Sequence, residues 1–469
     1  MSLSSSPLFF CAIGGSGMMP LALMMKARGV DVRGSDRARD QGRTPERFAH
    51  LEAQGISLFP QDGSGVTADV TQLIVSSAVE EDVPDYQEAL KKDIPIRKRA
   101  DLLAEMFNAA ETGIAVGGTS GKSTTAAMIG WILEAVGKKP SIINGAEMKN
   151  FVTDQTPFAS AVVGSSDCFV AEVDESDGSI ALYEPSIAVL NNIALDHKTM
   201  EELRELFSAF AARAQKVILN LDNVETARMC RDFPKAFTYG LVRKEATLSA
   251  FHLVYNENGA LFDVVYAPTG EKKLLQLNLP GAHNVSNALG AISAALAAGV
   301  PFAEAVNALE RFKGIARRFD VIGTAGGVTV IDDFAHNPDK IAALLSCLRG
   351  FAGRVLILFQ PHGYGPLRHM KAELADCFVA NLGPENVLYV ADPLYLGGTT
   401  DRSVTSHDLV QAITAQEGRA HYLADRDACA EALVAQAHSG DRIVVMGARD
   451  DTLPELARGI LKRLKDGDG

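Results

Sequence analysis

Residues Gly117-Gly118-Thr119-Ser120-Gly121-Lys122-Ser123-Thr124-Thr125 decide how this chain of 469 residues is read. A short apolar run, Gly113-Ile114-Ala115-Val116, precedes them. A second apolar run, Ala126 to Val136, follows, reads as a helix and can stop at Gly137. Strand, glycine loop and helix in that order make a cradle for phosphate. Glycine lets the backbone wrap closely, successive N–H groups and a helix N-terminus face the oxyanions, and Lys122 adds a full charge. Ser123 then offers a hydroxyl to Mg2+. The spacing is the short G-T-x-G-K-[ST]-T, because Val116 stands where the longer phosphate loop has its first glycine. A plain Gly/Ser-rich turn ahead of a helix is the bland alternative, and the strand–loop–helix context argues against it. ATP is the expected nucleotide.

Working outward, the length has room for about three domains. Hydrophobic residues make up 47% and charged residues 22%, ordinary for a globular protein. A net charge of −13 argues against general affinity for nucleic acid or for an anionic membrane. Phosphate binding is therefore expected at loops and single cations. The six cysteines (Cys11, Cys168, Cys230, Cys347, Cys377, Cys429) contain no C-x-x-C pair and read as reduced thiols. No basic leader and no membrane-length apolar run is evident, so a cytoplasmic enzyme is expected, with no nucleic-acid or membrane partner. Oligomeric state is not legible.

The pattern predicts three α/β domains, at 1–110, 111–315 and 316–469. In the first, residues 8–13 read as a buried strand, Gly14 to Gly17 as a tight turn, Met18 to Arg28 as a helix and Val30 to Asp36 as a second strand. That is the opening of a Rossmann-like open sheet, whose ligands collect beyond the carboxyl ends of strands. It is not a dinucleotide fingerprint, since Pro20 stands where the third glycine belongs. The central domain is expected to be a parallel, P-loop ATPase-like sheet. Its later strands, Cys168–Val173 and Ile187–Asn192, both run from apolar into polar residues. Alternating runs between about 235 and 280 predict a small antiparallel sheet beside it. From Arg317 onward strands and helices alternate again, at Val328–Ile331, Arg354–Phe359, Val387–Ala391 and Arg442–Met446. This predicts a third, Rossmann-like domain.

Glu172 ends a strand where a carboxylate can reach Mg2+, and His197 follows the next strand in a similar position. The run Asp174-Glu175-Ser176-Asp177 reads either as part of the site or as a solvated loop. Farther on, Arg317 and Arg318 sit at a proposed hinge, where they would stabilise charge on a transferred phosphoryl group. Asp332 and Asp333 end a strand, where either could accept from ribose hydroxyls. Behind them stands His336, and His362 and Tyr364 follow another strand.

In this order and over nearly the whole chain, the features resemble the Mur ligases, closest to the alanine-adding branch. The stretches that carry the resemblance are Ile13–Met18, Gly34–Asp36, Val75–Ala78, Arg99–Glu105, Gly118–Thr125, Glu172–Asp177, Asn192 and Asp196-His197. They continue with Pro280–Asn284, Asn287, Arg317–Asp320, Asp332–His336, Phe359–His362 and Tyr395–Ser403. The resemblance implies an ATP-dependent ligase joining the carboxylate of UDP-N-acetylmuramate to an amine through an acyl phosphate. It assigns Gly15, Ser16, Gly17, Met18, Ser35, Asp36, Ser76, Ser77 and Ala78 to the UDP-sugar. Thr119, Ser120, Gly121, Lys122, Ser123 and Thr124 fall on the ATP phosphates, and Ser123, Glu172 and His197 on Mg2+. His283, Asn284 and Asn287 go to adenine, Arg317 to phosphate, Asp332 to ribose, and His336 and His362 to the reacting or acceptor end. Lys122, His197, Arg317, His336 and His362 make up the expected catalytic set.

Against that pattern, Gly363 and Pro366 stand where the alanine-adding branch is expected to have arginines, leaving Arg368. An amino-acid carboxylate suits an arginine fork. L-Alanine is the first expected acceptor, and a recycled tripeptide, as in murein peptide ligases, is the second. A non-catalytic nucleotide-binding scaffold is a third reading, opposed by the presence of Lys122, Ser123, Glu172 and His197 together.

Overall fold

The computed structural model describes residues 7–77, 79–195, 198–256, 259–395, 401–448 and 450–466, without the side chains of Ser165 and Ser166. Ala78 and His197 lie outside the described residues. The chain divides into two compact units. One comprises residues up to 254, with 260–278 and 282–315. The other comprises 255–259, 279–281 and 316 onward.

The first unit carries two sheets. Strands β1 (Leu8–Cys11), β2 (Val32–Ser35), β3 (Ser57–Phe59), β4 (Gln72–Val75) and β5 (Ile96–Lys98) form a parallel sheet in the order β3-β2-β1-β4-β5. Leu-Phe-Phe-Cys in β1 is buried throughout, as a central parallel strand covered on both faces must be. The order reverses at β1, so the turn Gly14–Gly17 opens at the switch point of a Rossmann-like sheet. The following helix, Met18–Ala27, buries six apolar side chains besides Pro20. It is covered from a second direction, for it touches the neighbouring sheet and Arg28 at its end lies 5.9 Å over the Phe169 ring.

The second sheet holds β6 (Thr112–Gly117), β7 (Pro140–Ile143), β8 (Ala161–Val162), β9 (Ser165–Glu172), β10 (Ile187–Leu190), β11 (Lys216–Asn220), β12 (Phe237–Leu241), β13 (Leu248–Asn256), β14 (Gly259–Tyr266) and β15 (Glu271–Leu277). Their order is β15-β14-β13-β12-β11-β10-β6-β9-β7-β8. Strand β6 is central, parallel to β9 on one side and β10 on the other. The antiparallel pair β14–β15 does not stand as a separate small sheet. It continues the edge of the parallel one, because β13 pairs in parallel with β12 and hands the ladder on.

The second unit holds β16 (Asp320–Ala325), β17 (Val328–Asp333), β18 (Val355–Gln360), β19 (Val387–Val390), β20 (His421–Tyr422) and β21 (Arg442–Gly447), in the order β16-β17-β21-β18-β19-β20. All pairs are parallel except β16–β17. All six side chains of β18 are buried. The parallel strands β17, β18 and β21 therefore deliver Asp333, Gln360 and Gly447 to one end of the sheet. Among the described residues no helix is long and apolar enough to cross a membrane, and no disulfide forms among the six cysteines.

Candidate active site

The helix Lys122–Ala135 begins directly after the glycine loop that leaves β6. Gly118 and Gly121 take φ of +130° and +81°, where side chains are strained. Space forbids them too. A Cβ on Gly121 would stand 2.5 Å from Asn287 Oδ1, and one on Gly118 2.9 Å from the Asn192 carbonyl. The loop is held from beneath by two asparagines that follow β10. Asn192 accepts from Thr119 N–H through its carbonyl (3.1 Å) and from Ser120 N–H through Oδ1 (2.9 Å). Its amide returns a bond to Ser120 O at 3.0 Å. Asn191 donates to Thr125 Oγ1 (2.9 Å) and accepts from the Tyr239 hydroxyl (3.3 Å). Sequence reading assigned no role to Asn191 and saw Asn192 only as part of a family pattern.

Thr119 also exchanges bonds with Ala194, so its hydroxyl shapes the loop. The first helical bond runs from Thr125 N–H to Gly121 O. The amides of Lys122, Ser123 and Thr124 precede it and have no carbonyl one turn back, which leaves them for an anion. Asn287 accepts from Thr125 Oγ1 at 3.3 Å and Asn284 from Asn287 at 3.4 Å, so of the two buried amides of the helix Ala282–Ala297 Asn287 stands against the loop and Asn284 bonds it in turn. His283, one residue from Asn284, is exposed.

Lys122 Nζ bonds Glu175 Oε2 at 2.7 Å, with the two side chains 18% and 4% exposed. Glu175 is thus no member of a solvated loop, although Asp174, Ser176 and Asp177 around it are exposed. A buried carboxylate needs a partner, and the loop lysine supplies it. Glu172 lies beside Val116 in the β6–β9 ladder, next to the strand that enters the loop. Among the described residues its Oε2 is buried without a hydrogen-bond partner. Asn144, after β7, has both side-chain polar atoms in the same condition. Gly145 packs so close that a Cβ there would lie 2.1 Å from Glu172 Oε1. A lone asparagine at a strand end gave no signal in the sequence.

An orphaned carboxylate oxygen beside a phosphate loop fits Mg2+, which takes one or two carboxylates and completes its shell with phosphate oxygens and water. Among the described residues no three His, Cys, Asp or Glu side chains converge on one point, so Glu172 and the Ser123 hydroxyl would hold the ion with the phosphates.

At the end of β1, Gly15 and Ser16 are exposed and Gly17 is partly so, whereas Met18 is 2% exposed and belongs to the core. Ser35 is fully buried with its hydroxyl on Asp85, and the Asp36 carboxylate accepts from Gly14 N–H and Ala38 N–H, both at 2.8 Å. Met18, Ser35 and Asp36 therefore shape the turn from below. Ser76 is half-buried and Ser77 exposed after β4, across the switch point.

In the second unit, Arg317 is tied down. It takes φ +60°, donates to Gly447 O at 2.8 Å and lies 5.0 Å over the Phe334 ring, while Arg318 covers the same ring at 4.3 Å. Its Nε is 3.7 Å from Asp332 Oδ2. Asp332 is 0% exposed, neither oxygen has a hydrogen bond among the described residues, and burial pushes its carboxyl up to about 7 against the pull of Arg317. Asp333 accepts instead from the N–H groups of Phe319 and Ala335. His336 Nδ1 lies 2.7 Å from Phe334 O, which makes Nδ1–H the donor and leaves Nε2 the lone pair. Burial lowers His336 to about 3, with the Lys340 charge adding to it. The His336 and His362 rings meet edge-to-face at 4.7 Å, so the two expected acceptor-side histidines are brought together. Gly363 has φ +149° at the start of the helix Tyr364–Asn381, and Pro366 sits in its first turn, where no N–H is missed. Gly363 and Pro366 place no cation at this helix start. Arg368 pairs with Asp401.

Three sequence models match the chain in order: "Mur ligase family, catalytic domain" at residues 8–111, "Mur ligase middle domain" at 116–295 and "Mur ligase, glutamate ligase domain" at 317–449. The chain belongs to the Mur ligase family. It is 31% identical over 460 residues to the UDP-N-acetylmuramate–L-alanine ligase of Rickettsia felis, covering 94% of this chain and 93% of that one. The fold matches the crystal structure of UDP-N-acetylmuramate–alanine ligase from Thermotoga maritima, with TM-score 0.79 at 24% identity over 98% of this chain and 100% of that one. A murein peptide ligase from Psychrobacter arcticus gives TM-score 0.70 at 24% identity over 98% and 99%. The Mur ligase three-domain α/β architecture thus covers 98% of the chain. The bonding described above gives its glycine loop, strand ends and paired histidines their local geometry.

Proposed function

We propose that this protein joins the lactyl carboxylate of UDP-N-acetylmuramate to the amine of L-alanine with conversion of ATP to ADP and phosphate. The end-to-end identity to relatives named for that reaction carries the reading. The phosphate loop, with Lys122 at its tip and Glu172 beside it, supports the ATP half.

A carboxylate is a poor acyl donor. Attack of its oxygen on the γ-phosphorus of ATP releases ADP and forms an acyl phosphate. The amine then adds to the acyl carbon, and the tetrahedral intermediate expels phosphate as the amine gives up its proton. Carboxylate and triphosphate repel each other, so cations are the main requirement. Lys122, released from Glu175 by an arriving phosphate, contributes one charge, and the free amides of residues 122–124 contribute partial ones. Mg2+, when bound at Glu172 and Ser123, would neutralise the phosphate oxygens further. His336 and His362 are the proposed amine-side pair. With Nδ1–H spent on Phe334 O, His336 presents Nε2 as an acceptor and stays uncharged at neutral pH. Asp332 is the proposed ribose acceptor.

The test is phosphate release and amide formation with UDP-N-acetylmuramate, ATP and Mg2+ against L-alanine, glycine, L-serine and the stem tripeptide. L-Alanine is expected to give product at the lowest concentration. A clear preference for the tripeptide would replace this reading with the murein peptide ligase one. Nucleotide binding without turnover of any amine would replace it with a scaffold.

A further inference from the structure

Resting on that reading, we propose that Glu175 is a built-in competitor for the nucleotide: its carboxylate occupies the Lys122 ammonium, and a phosphate gains that charge only by displacing it. Glu175 Oε2 lies 2.7 Å from Lys122 Nζ, on a side chain that is 4% exposed. Its acidic neighbours in the loop after β9 are spent differently. Asp174 accepts from the Ser176 N–H at 2.8 Å and Asp177 from the Ser179 N–H at 2.9 Å, so both carboxylates shape their own turn. The Glu175 carbonyl joins that turn by accepting from the Gly178 N–H at 3.3 Å, and the Ile180 N–H closes it on Asp174 O at 3.1 Å. The Glu175 carboxylate adds nothing to it. Among the described residues its one hydrogen-bond partner is Lys122, 53 residues away.

The contact takes the ammonium and leaves the amides. Lys122, Ser123 and Thr124 open the helix with N–H groups that have no acceptor one turn back. An arriving phosphate can therefore land on the amides first and then draw the lysine away. That exchange is costly. A buried carboxylate that loses its cation is left as an uncompensated charge, and breaking such a pair from one side costs more than the pair itself contributes. A nucleotide offsets the cost through its other contacts, whereas a small anion has only the loop. Nucleotide affinity is thus held below what the loop geometry allows. The same restraint acts on the ADP that the reaction leaves behind, so the contact favours product release as much as it opposes binding.

Calorimetry on the full chain tests this, with ATP and ADP, each with Mg2+, titrated into wild type, Glu175→Gln and Glu175→Met. Both variants are expected to bind either nucleotide more tightly, on the order of 10- to 100-fold, the usual worth of a hydrogen bond to a charged group. The melting temperature of the unliganded protein should not rise, so binding and stability part company. In turnover, KM for ATP and the inhibition constant of ADP should fall together. In a Lys122→Ala background, Glu175→Gln should change ATP affinity by no more than about twofold, because the contact is already gone. Unchanged or weakened nucleotide binding in the Glu175 variants overturns the competitor. So does equal tightening with and without Lys122, which would mean repulsion through space instead of a held lysine. If Glu175→Gln does not fold, Glu175→Met, which fills the buried position with apolar atoms, decides by the same criteria. A wild-type protein that binds neither ATP nor ADP overturns the functional reading itself, and the competitor with it.

Discussion

The phosphate loop of the first unit and the strand ends of the second solve the same electrostatic problem in opposite ways. At the loop the lysine is already paired and the turn is braced: Lys122 holds Glu175, and Asn191 and Asn192 hold the turn. In the second unit a carboxylate, Asp332, is sealed from solvent with no hydrogen bond among the described residues, and a histidine four residues on, His336, is kept uncharged by burial. The loop is pre-arranged and awaits an anion. The strand ends store unfavourable desolvation that a ligand or a proton relieves.

The comparison breaks most visibly at Lys122. Lys122→Ala is expected to cut turnover by about three orders of magnitude or more, as loss of a charge on a transferring phosphoryl group does, while UDP-sugar affinity stays within about twofold. Parallel loss of both would mean that the two sites of the first unit are not separate. Glu172→Gln should raise the Mg2+ concentration for half-maximal rate by roughly tenfold or more. An unchanged Mg2+ titration removes Glu172 from the metal. Gly121→Ala meets both a positive φ and Asn287 Oδ1, and should lower unfolding stability by about 1–3 kcal/mol. Wild-type stability in denaturant titrations would show that the loop yields.

The smallest effect probes the second unit. Asp332, raised to about 7, holds a proton that the unfolded chain has already lost, so its share of stability falls as pH rises from about 4 to 7. His336, lowered to about 3, lacks a proton that the unfolded chain still holds, so its share is lost as pH falls from about 6.5 to 3. Over their common window the slopes oppose each other, each on the order of 1.4 kcal/mol per pH unit. Asp332→Asn should therefore become more stable, and His336→Gln less stable, as pH is raised from 4.5 to 6.5. Equal slopes in the two variants, read by urea unfolding, would contradict the burial of both groups.

Much of this was legible along the chain. The strand before Gly117, the helix after it, the open sheet begun at Leu8 and the alternation beyond Arg317 all appear where apolar runs and glycines put them. The β14–β15 hairpin was legible as antiparallel, but its attachment to the parallel sheet was not, because alternation within a strand does not name its neighbour. Met18, Ser35 and Asp36 match a family pattern at the substrate turn, yet their side chains face the core or the backbone. Arg317 reads as a hinge cation, and only the structure shows that Gly447 O and the Phe334 ring fix its position. A motif records which residue types recur; it does not record which way a side chain turns.

By itself, the order of residues determined the loop, the strand–helix rhythm and the family, because each rests on backbone conformations and apolar periods that span only a few neighbours. Tertiary structure alone decided that Lys122 would meet Glu175 across 53 residues, Ser120 meet Asn192 across 72 and Thr125 meet Asn287 across 162. Those pairings follow from sheet order and crossover connections, which bring distant strand ends to one edge, and burial then forces each polar group there to find an acceptor or await one.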